Sequence, residues 1–193
     1  MRCALCDDKK CYLGKECTAL KEKVVSKYKL ETKTLDIMAT STSLEARHYM
    51  KLTRLEELMT FCKGMGYKTL GIAFCIGLDS EARILQEILE KDFDTYSVCC
   101  KVCGIDKKDF GLEKIKKDRY EAMCNPIGQA MVLNDKNTDL NIICGLCLGH
   151  DILFSKHSEA PVTTFIVKDR VLAHNPAGAI YSKYYQRKFR MGK

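Results

Sequence analysis

No stretch of this 193-residue sequence approaches the roughly 18 consecutive apolar residues of a membrane-crossing helix. The start, Met1-Arg2-Cys3-Ala4-Leu5-Cys6, lacks the apolar core of a secretion signal. A cytoplasmic location and no membrane partner are therefore expected. No GxGxxG motif follows a strand-like run, no Walker A loop occurs, and no Ser/His/Asp order suggests a hydrolase. Internal repeats and low-complexity segments are missing too. These absences argue against transport, common nucleotide-dependent chemistry and serine hydrolysis.

What is present is an ordinary globular composition, 46% hydrophobic and 30% charged, long enough for one sizeable core with a small appended module. The unusual quantity is twelve cysteines. In a reducing compartment, paired thiols are ligands or reactive groups more often than disulfides. Some of the twelve must still be core residues, because a free thiol packs as a small hydrophobe.

Spacing separates the two uses. The first seventeen residues read Cys3-x2-Cys6-x4-Cys11-x5-Cys17 with few large apolar residues between. Such a loop has no core of its own and suits wrapping round a metal centre. Structural zinc sites set two short cysteine knuckles apart by a longer loop. The uniformly short gaps here are closer to a ferredoxin-like run, so an iron–sulfur cluster of the 4Fe–4S type is favoured over zinc. The pattern departs from that style in its gaps of four and five and in Thr18, not proline, after Cys17.

Residues 19–33 are lysine-rich and predict a connecting helix fading into a linker. Thr42-Ser43-Leu44-Glu45 has capping-box spacing and predicts a helix from there to about residue 63, with Cys62 in its core face and Gly64 or Gly66 at its end. No metal role is assigned to His48. Residues 69–75 form a strand-like run ending at Cys75, and Asp79 or Ser80 is expected to cap a helix with Ile84, Leu85, Ile88 and Leu89 inward. Residues 95–101 make the next strand, so this is a βαβ unit with a parallel pair.

That second strand runs into Cys99-Cys100-Lys101-Val102-Cys103-Gly104. A redox dithiol needs its CxxC at a helix start, and Gly104 followed by Ile105 and Asp106 is a poor one. Cys100 and Cys103 therefore read as a ligand pair. Residues 107–117 are a charged surface stretch with no assigned function. Cys124-Asn125-Pro126 is a strong helix start, Asn at N-cap and Pro at N1, leaving Cys124 beside the positive helix end.

Asn141-Ile142-Ile143-Cys144 then opens a strand that breaks into Gly145-Leu146-Cys147-Leu148-Gly149-His150-Asp151. Cys144 fits the core, whereas Cys147 lies past the strand and reads as a ligand. His150 is a candidate ligand or acid/base, oriented by Asp151. Residues 162–167 form another strand, with Val171-Leu172-Ala173 as its expected hairpin partner. Asn175-Pro176 should launch a final helix through Tyr181, Tyr184 and Tyr185, after a structural His174.

Net charge is +7, concentrated at the end in Lys183, Arg187, Lys188, Arg190 and Lys193. The expected role is a solvated helix face with Tyr184, Tyr185 and Phe189 inward. Nucleic acid is not the expected partner.

The fold expected is α/β: a mainly parallel central sheet flanked by helices in residues 34–193, with an amino-terminal cysteine-rich metal-binding module and connector in residues 1–33. In a parallel sheet, Cys75, Cys100, Cys103, Cys124 and Cys147 share one edge. At least three of their sulfurs should lie within roughly 8 Å of one another, as cluster ligands must.

The phrases around Cys75, Cys99 to Gly104, Cys124-Asn125-Pro126, Gly145 to Asp151 and His174-Asn175-Pro176 carry a resemblance. They look like a cysteine-rich family of anaerobic prokaryotes, an uncharacterised metal-binding protein with a domain of unknown function (1847). The likeness covers nearly the whole chain. It implies metal binding and an anaerobic cytoplasm, and supplies no reaction.

The function expected is an iron–sulfur protein with two centres, the amino-terminal loop and the sheet edge. Its role would be electron transfer, or metal or sulfur handling in anaerobic metabolism, with a redox partner protein or small-molecule substrate. One alternative is an enzyme using an open-site cluster or a reactive thiol such as Cys124 with His150. Another is a zinc-stabilised nucleic-acid binder using the basic tail.

Overall fold

The computed structural model describes residues 1–190, so Lys193 of the basic tail lies outside the described residues. The chain divides into two compact units, Met1–Leu52 and Thr53–Lys193.

In the first unit, short 3-10 turns at Cys3–Leu5 and Lys10–Leu13 lead into helices α1 (Lys21–Leu30) and α2 (Thr32–His48). None of these elements has a buried residue. The expected linker does not form, since only Glu31 separates the helices. The expected helix start at Thr42 does not form either. Thr42 to Glu45 lie within α2, which runs on until Tyr49 leaves helical geometry and Met50 turns left-handed at φ 56°.

The capping box belongs to Thr53, where the extended backbone frees the side chain to cap. Its hydroxyl accepts from the Glu56 amide at 3.4 Å, and the Glu56 carboxylate accepts from the Thr53 amide at 2.7 Å. This opens α3 (Arg54–Gly64), which buries Leu58 and Cys62. The chain ends the helix at Gly64, as expected.

The second unit is built on four strands, β1 (Thr69–Phe74), β2 (Asp94–Cys99), β3 (Leu140–Cys144) and β4 (Val162–Ile166). All pairings are parallel and the spatial order is β2-β1-β3-β4. β3 is buried along its whole length, its one polar residue Asn141 included. The crossovers carry α4 (Asp79–Leu89), α5 (Pro126–Asp135) and α6 (His150–His157), each between successive strands in sequence.

Helix α4 begins without a side-chain cap; Asp79 sits in its first turn. It buries Leu85 and Leu89 as expected, with Ile88 half-buried, but Ala82 takes the inward place expected of Ile84, which faces solvent. Helix α5 starts as the sequence dictates. Asn125 accepts from the Gly128 amide at 2.9 Å and Pro126 occupies the first turn.

Among the described residues, β4 has no hairpin partner beyond it. Residues 171–174 form turns, with Ala173 and His174 left-handed at φ 48° and 61°. Two consecutive left-handed residues cannot run as a strand. The final helix is two helices, α7 (Ala177–Tyr181) and α8 (Lys183–Arg190), broken at an extended Ser182. Pro176 stands at the N-cap of α7 instead of N1. The aromatics of α8 are not packed inward: Tyr184 and Phe189 are exposed, and only Tyr185 is half-buried.

Candidate thiolate centre

The strand order reverses direction about β1. The chain lays β2 on one side of it, then crosses to place β3 and β4 on the other. In an open parallel sheet, ligands bind beyond the carboxyl ends of the strands near such a reversal. The residues just past each strand here are Cys75 after β1, Cys100 after β2, Cys147 beyond β3 and Lys168 after β4.

Backbone hydrogen bonds extend the ladder into this edge and fix it. The Cys75 amide donates to Cys144 O at 3.2 Å, and the Cys100 amide to Phe74 O at 2.8 Å. The Gly145 amide donates to Ile166 O at 2.8 Å. The Asn125 amide donates to Cys100 O at 2.8 Å, which ties the start of α5, and with it Cys124, to the end of β2.

Three sulfurs meet there. Cys100 is electrostatically coupled to both Cys75 and Cys124, each of which acts on its titration. Each thiol also has a partner outside the trio. The Ile76 amide donates to Cys100 Sγ at 3.3 Å, Lys168 Nζ to Cys75 Sγ at 3.2 Å and Lys101 Nζ to Cys124 Sγ at 3.5 Å. Cys147 stands beside them with Arg170 Nη2 donating to its sulfur at 3.0 Å. The Arg170 guanidinium is raised in pKa, first by its bond to Cys147 and further by the charges of Cys75 and Cys124, so one side chain feels three sulfurs.

The electrostatics follow from these contacts. The bond from Cys100 holds the Cys124 thiol down at about 5, against the opposing effect of burial, with Lys101 and His150 adding to the depression. Cys100 is pushed up as the donor of that bond and by its own burial. The pair therefore shares one proton, carried by Cys100. Burial acts upward on Cys75, but the Gly77 amide, Lys168 and Cys100 outweigh it and its thiol is lowered.

The other sequence candidates fall differently. Cys103 is exposed in a left-handed conformation at φ 69° and takes no part in the hydrogen bonds that join the trio. The Asp151 carboxylate accepts from the Gly149 and Ile152 amides at 2.9 and 2.8 Å. It serves its own helix start, so it does not orient His150. His174 is structural as expected: Nδ1 accepts from the Asp169 amide at 3.1 Å. Cys62 and Cys144 are core thiols, and burial pushes them up to about 12 and about 11.

In the amino-terminal unit, Cys3, Cys6, Cys11 and Cys17 are all exposed free thiols. The loop folds round a cation instead of exposing its carbonyls, with Lys9 Nζ donating to Cys3 O and, at 2.8 Å, to Cys6 O. Among the described residues, no three or more of His, Cys, Asp and Glu stand as a ready-made metal cage. The amino-terminal metal module is thus not established. The same holds at the sheet edge, where the sulfurs are partnered by an amide and three cations.

Sequence reasoning missed four residues that shape this edge. Lys101, Lys168 and Arg170 looked like solvated charges or turn residues, although each follows a strand and so points chemistry at the same edge. Gln129 carried no signal beyond lying one turn past the N-cap of α5. It is fully buried, and its Nε2 donates to Phe74 O at 3.1 Å and Val98 O at 2.7 Å. One side chain thereby pins the ends of β1 and β2 to the helix that follows Cys124.

A family model described as a protein of unknown function (DUF1847) matches residues 12–165. An uncharacterized protein from Methanocaldococcus jannaschii is 61% identical over 194 residues, covering 100% of both chains. No solved structure matches.

Proposed function

We propose, from the premise that this chain belongs to the DUF1847 family, that its sheet edge is a thiolate centre for a soft metal, of iron–sulfur type. Cys75, Cys100, Cys124 and Cys147 would be the ligands, and His150 a fifth donor. The role would be electron transfer or metal and sulfur handling. What carries the reading is that thiols from two strand ends and a helix start, widely spaced in sequence, come to one sheet edge, where Cys100 is electrostatically coupled to both Cys75 and Cys124 and cations and an amide donate to the sulfurs.

The donor set fits such a group. Sulfur ligands select iron–sulfur clusters, zinc and other soft metals over hard cations. Bound as thiolates they accumulate negative charge, which Lys101, Lys168 and Arg170 offset. The Ile76 amide adds a hydrogen bond to sulfur, another means of tuning a cluster. When bound, the centre would supply reversible one-electron chemistry. The protein's own part would be to hold the thiols together and let Cys100 release its proton on binding.

The test is anaerobic purification followed by iron, zinc and acid-labile sulfide analysis. Iron with sulfide and a brown colour bleached by dithionite are expected. Colourless protein with stoichiometric zinc and no sulfide would contradict the iron–sulfur assignment.

A second reading has its own observation in favour. Cys124 is half-buried, so it is reachable, and its thiol sits near 5, in the range of reactive cysteines. An enzyme using Cys124 as nucleophile, with His150 as acid/base, accounts for those two facts without metal.

A further inference from the structure

The cations at the thiolate centre are unusual in their pairing. Among the described residues, none of Lys101, Lys168 and Arg170 is ion-paired with a carboxylate. Each is directed at a different sulfur instead, at 3.5, 3.2 and 3.0 Å. Two acids beside this edge are spent on backbone. Asp169 Oδ1 accepts from the Val171 and Leu172 amides at 2.9 and 2.8 Å, and Asp151 from Gly149 and Ile152.

Two of the cations ride on a built strap, residues 168–175. His174 closes it by donating its amide to Asp169 O at 2.9 Å while Nδ1 accepts from the Asp169 amide at 3.1 Å. The left-handed Ala173 and His174 turn the chain back on itself. Strain in non-glycine residues of this kind is kept where the surroundings over-determine it, often at binding sites. Gly77 leaves room for the strap, since a Cβ there would stand 3.2 Å from Lys168 Nζ.

Three cations, Lys101, Lys168 and Arg170, face this edge, and among the described residues no carboxylate is paired with any of them. The centre is also open: Cys124 and Cys147 are half-buried, and Arg170 is exposed.

We propose that this strap and Lys101 make the thiolate centre a receptor for a small oxyanion, of carboxylate or sulfur-oxyanion class, bound against Cys124 and Cys147. The proposal rests on the sulfurs forming one centre and does not require that centre to hold metal. A cleft lined by one sign of charge concentrates the opposite ion and raises its rate of arrival by about 10 to 10³. Substrates that are neutral gain nothing from it.

The experiment uses the full, reduced, metal-free chain under anaerobic conditions, with alkylation at Cys124 and Cys147 followed by peptide mass mapping. Iodoacetate and iodoacetamide form the same C–S bond with loss of iodide and differ only in charge. The ratio of their rates on the folded chain is compared with the ratio on the same chain unfolded in guanidinium. The expected result is a ratio about tenfold or more higher in the folded chain, at the low end of that range. It should collapse in about 1 M salt, where screening acts within a few ångströms. Lys168→Met and Arg170→Met should each slow iodoacetate more than iodoacetamide, so that the ratio falls whatever the change in intrinsic thiol reactivity common to both reagents. Inorganic sulfate and acetate at equal ionic strength identify the favoured oxyanion by which one slows iodoacetate more.

A folded ratio equal to the unfolded one, or one indifferent to salt, overturns the proposal; the wild-type chain alone decides this if a variant does not fold. Metal bound with no charge preference would sink the oxyanion site and spare the metal centre. Charge preference without any metal would do the reverse.

Discussion

At the residue scale the account turns on one proton. Cys100 keeps it and Cys124 does not, because the buried donor stabilises the thiolate beside it and Lys101 adds its charge. Alkylation of Cys124 should therefore run level from about pH 8 down to about pH 6 and fall through a midpoint near 5, where an ordinary thiol has a midpoint of about 8.5. The sign for stability is the same. A thiol whose folded value is depressed contributes fully above its unfolded value, and that contribution is lost as pH falls through about 5. Cys100→Ala removes the donor, so the midpoint at Cys124 should rise, read by the same alkylation profile. Cys124 at a helix start was legible from Asn125-Pro126 alone. Its partner was not, because no spacing rule links position 124 to position 100; only the parallel register brings them together.

At the scale of elements, local chemistry was legible wherever one short signal decided the outcome. Asn125-Pro126 set α5, and short, mainly apolar runs set β1 and β3. Two equal signals defeated it: Thr42-x-x-Glu45 and Thr53-x-x-Glu56 have identical spacing, and only the left-handed Met50 decides between them. The strap after β4 read as a hairpin because Val171-Leu172-Ala173 is apolar, yet the Asp169 side chain captures the amides a strand would have used. Sheet packing gives a sharper test at Gly71 of β1. A Cβ there would lie 2.0 Å from Asn141 Oδ1 and 2.8 Å from Leu133 Cδ1. Asn141 is fully buried and its Oδ1 accepts from Thr138 at 2.8 Å, so it cannot swing away freely. Gly71→Ala should cost about 3 kcal/mol by urea denaturation, at the upper end for overpacking a core.

At the scale of the whole molecule, every buried core residue and every member of the thiol trio falls within Thr53–Lys193. Residues 53–193 alone should fold with a cooperative melt, checked by circular dichroism. The amino-terminal cysteines were the strongest pattern in the sequence, yet all four are exposed and no buried residue lies among the elements that carry them. The sheet edge reversed that order: its cysteines are scattered in sequence and gathered by topology. The measurement that bears most directly on a single centre at that edge is metal and sulfide per chain after anaerobic reconstitution of residues 53–193, compared with Cys75→Ala, Cys100→Ala and Cys124→Ala. The account predicts bound iron and sulfide in the parent and their loss, together, in each of the three variants while the fold is kept. Equal metal in parent and variants, or none in the parent, would contradict it.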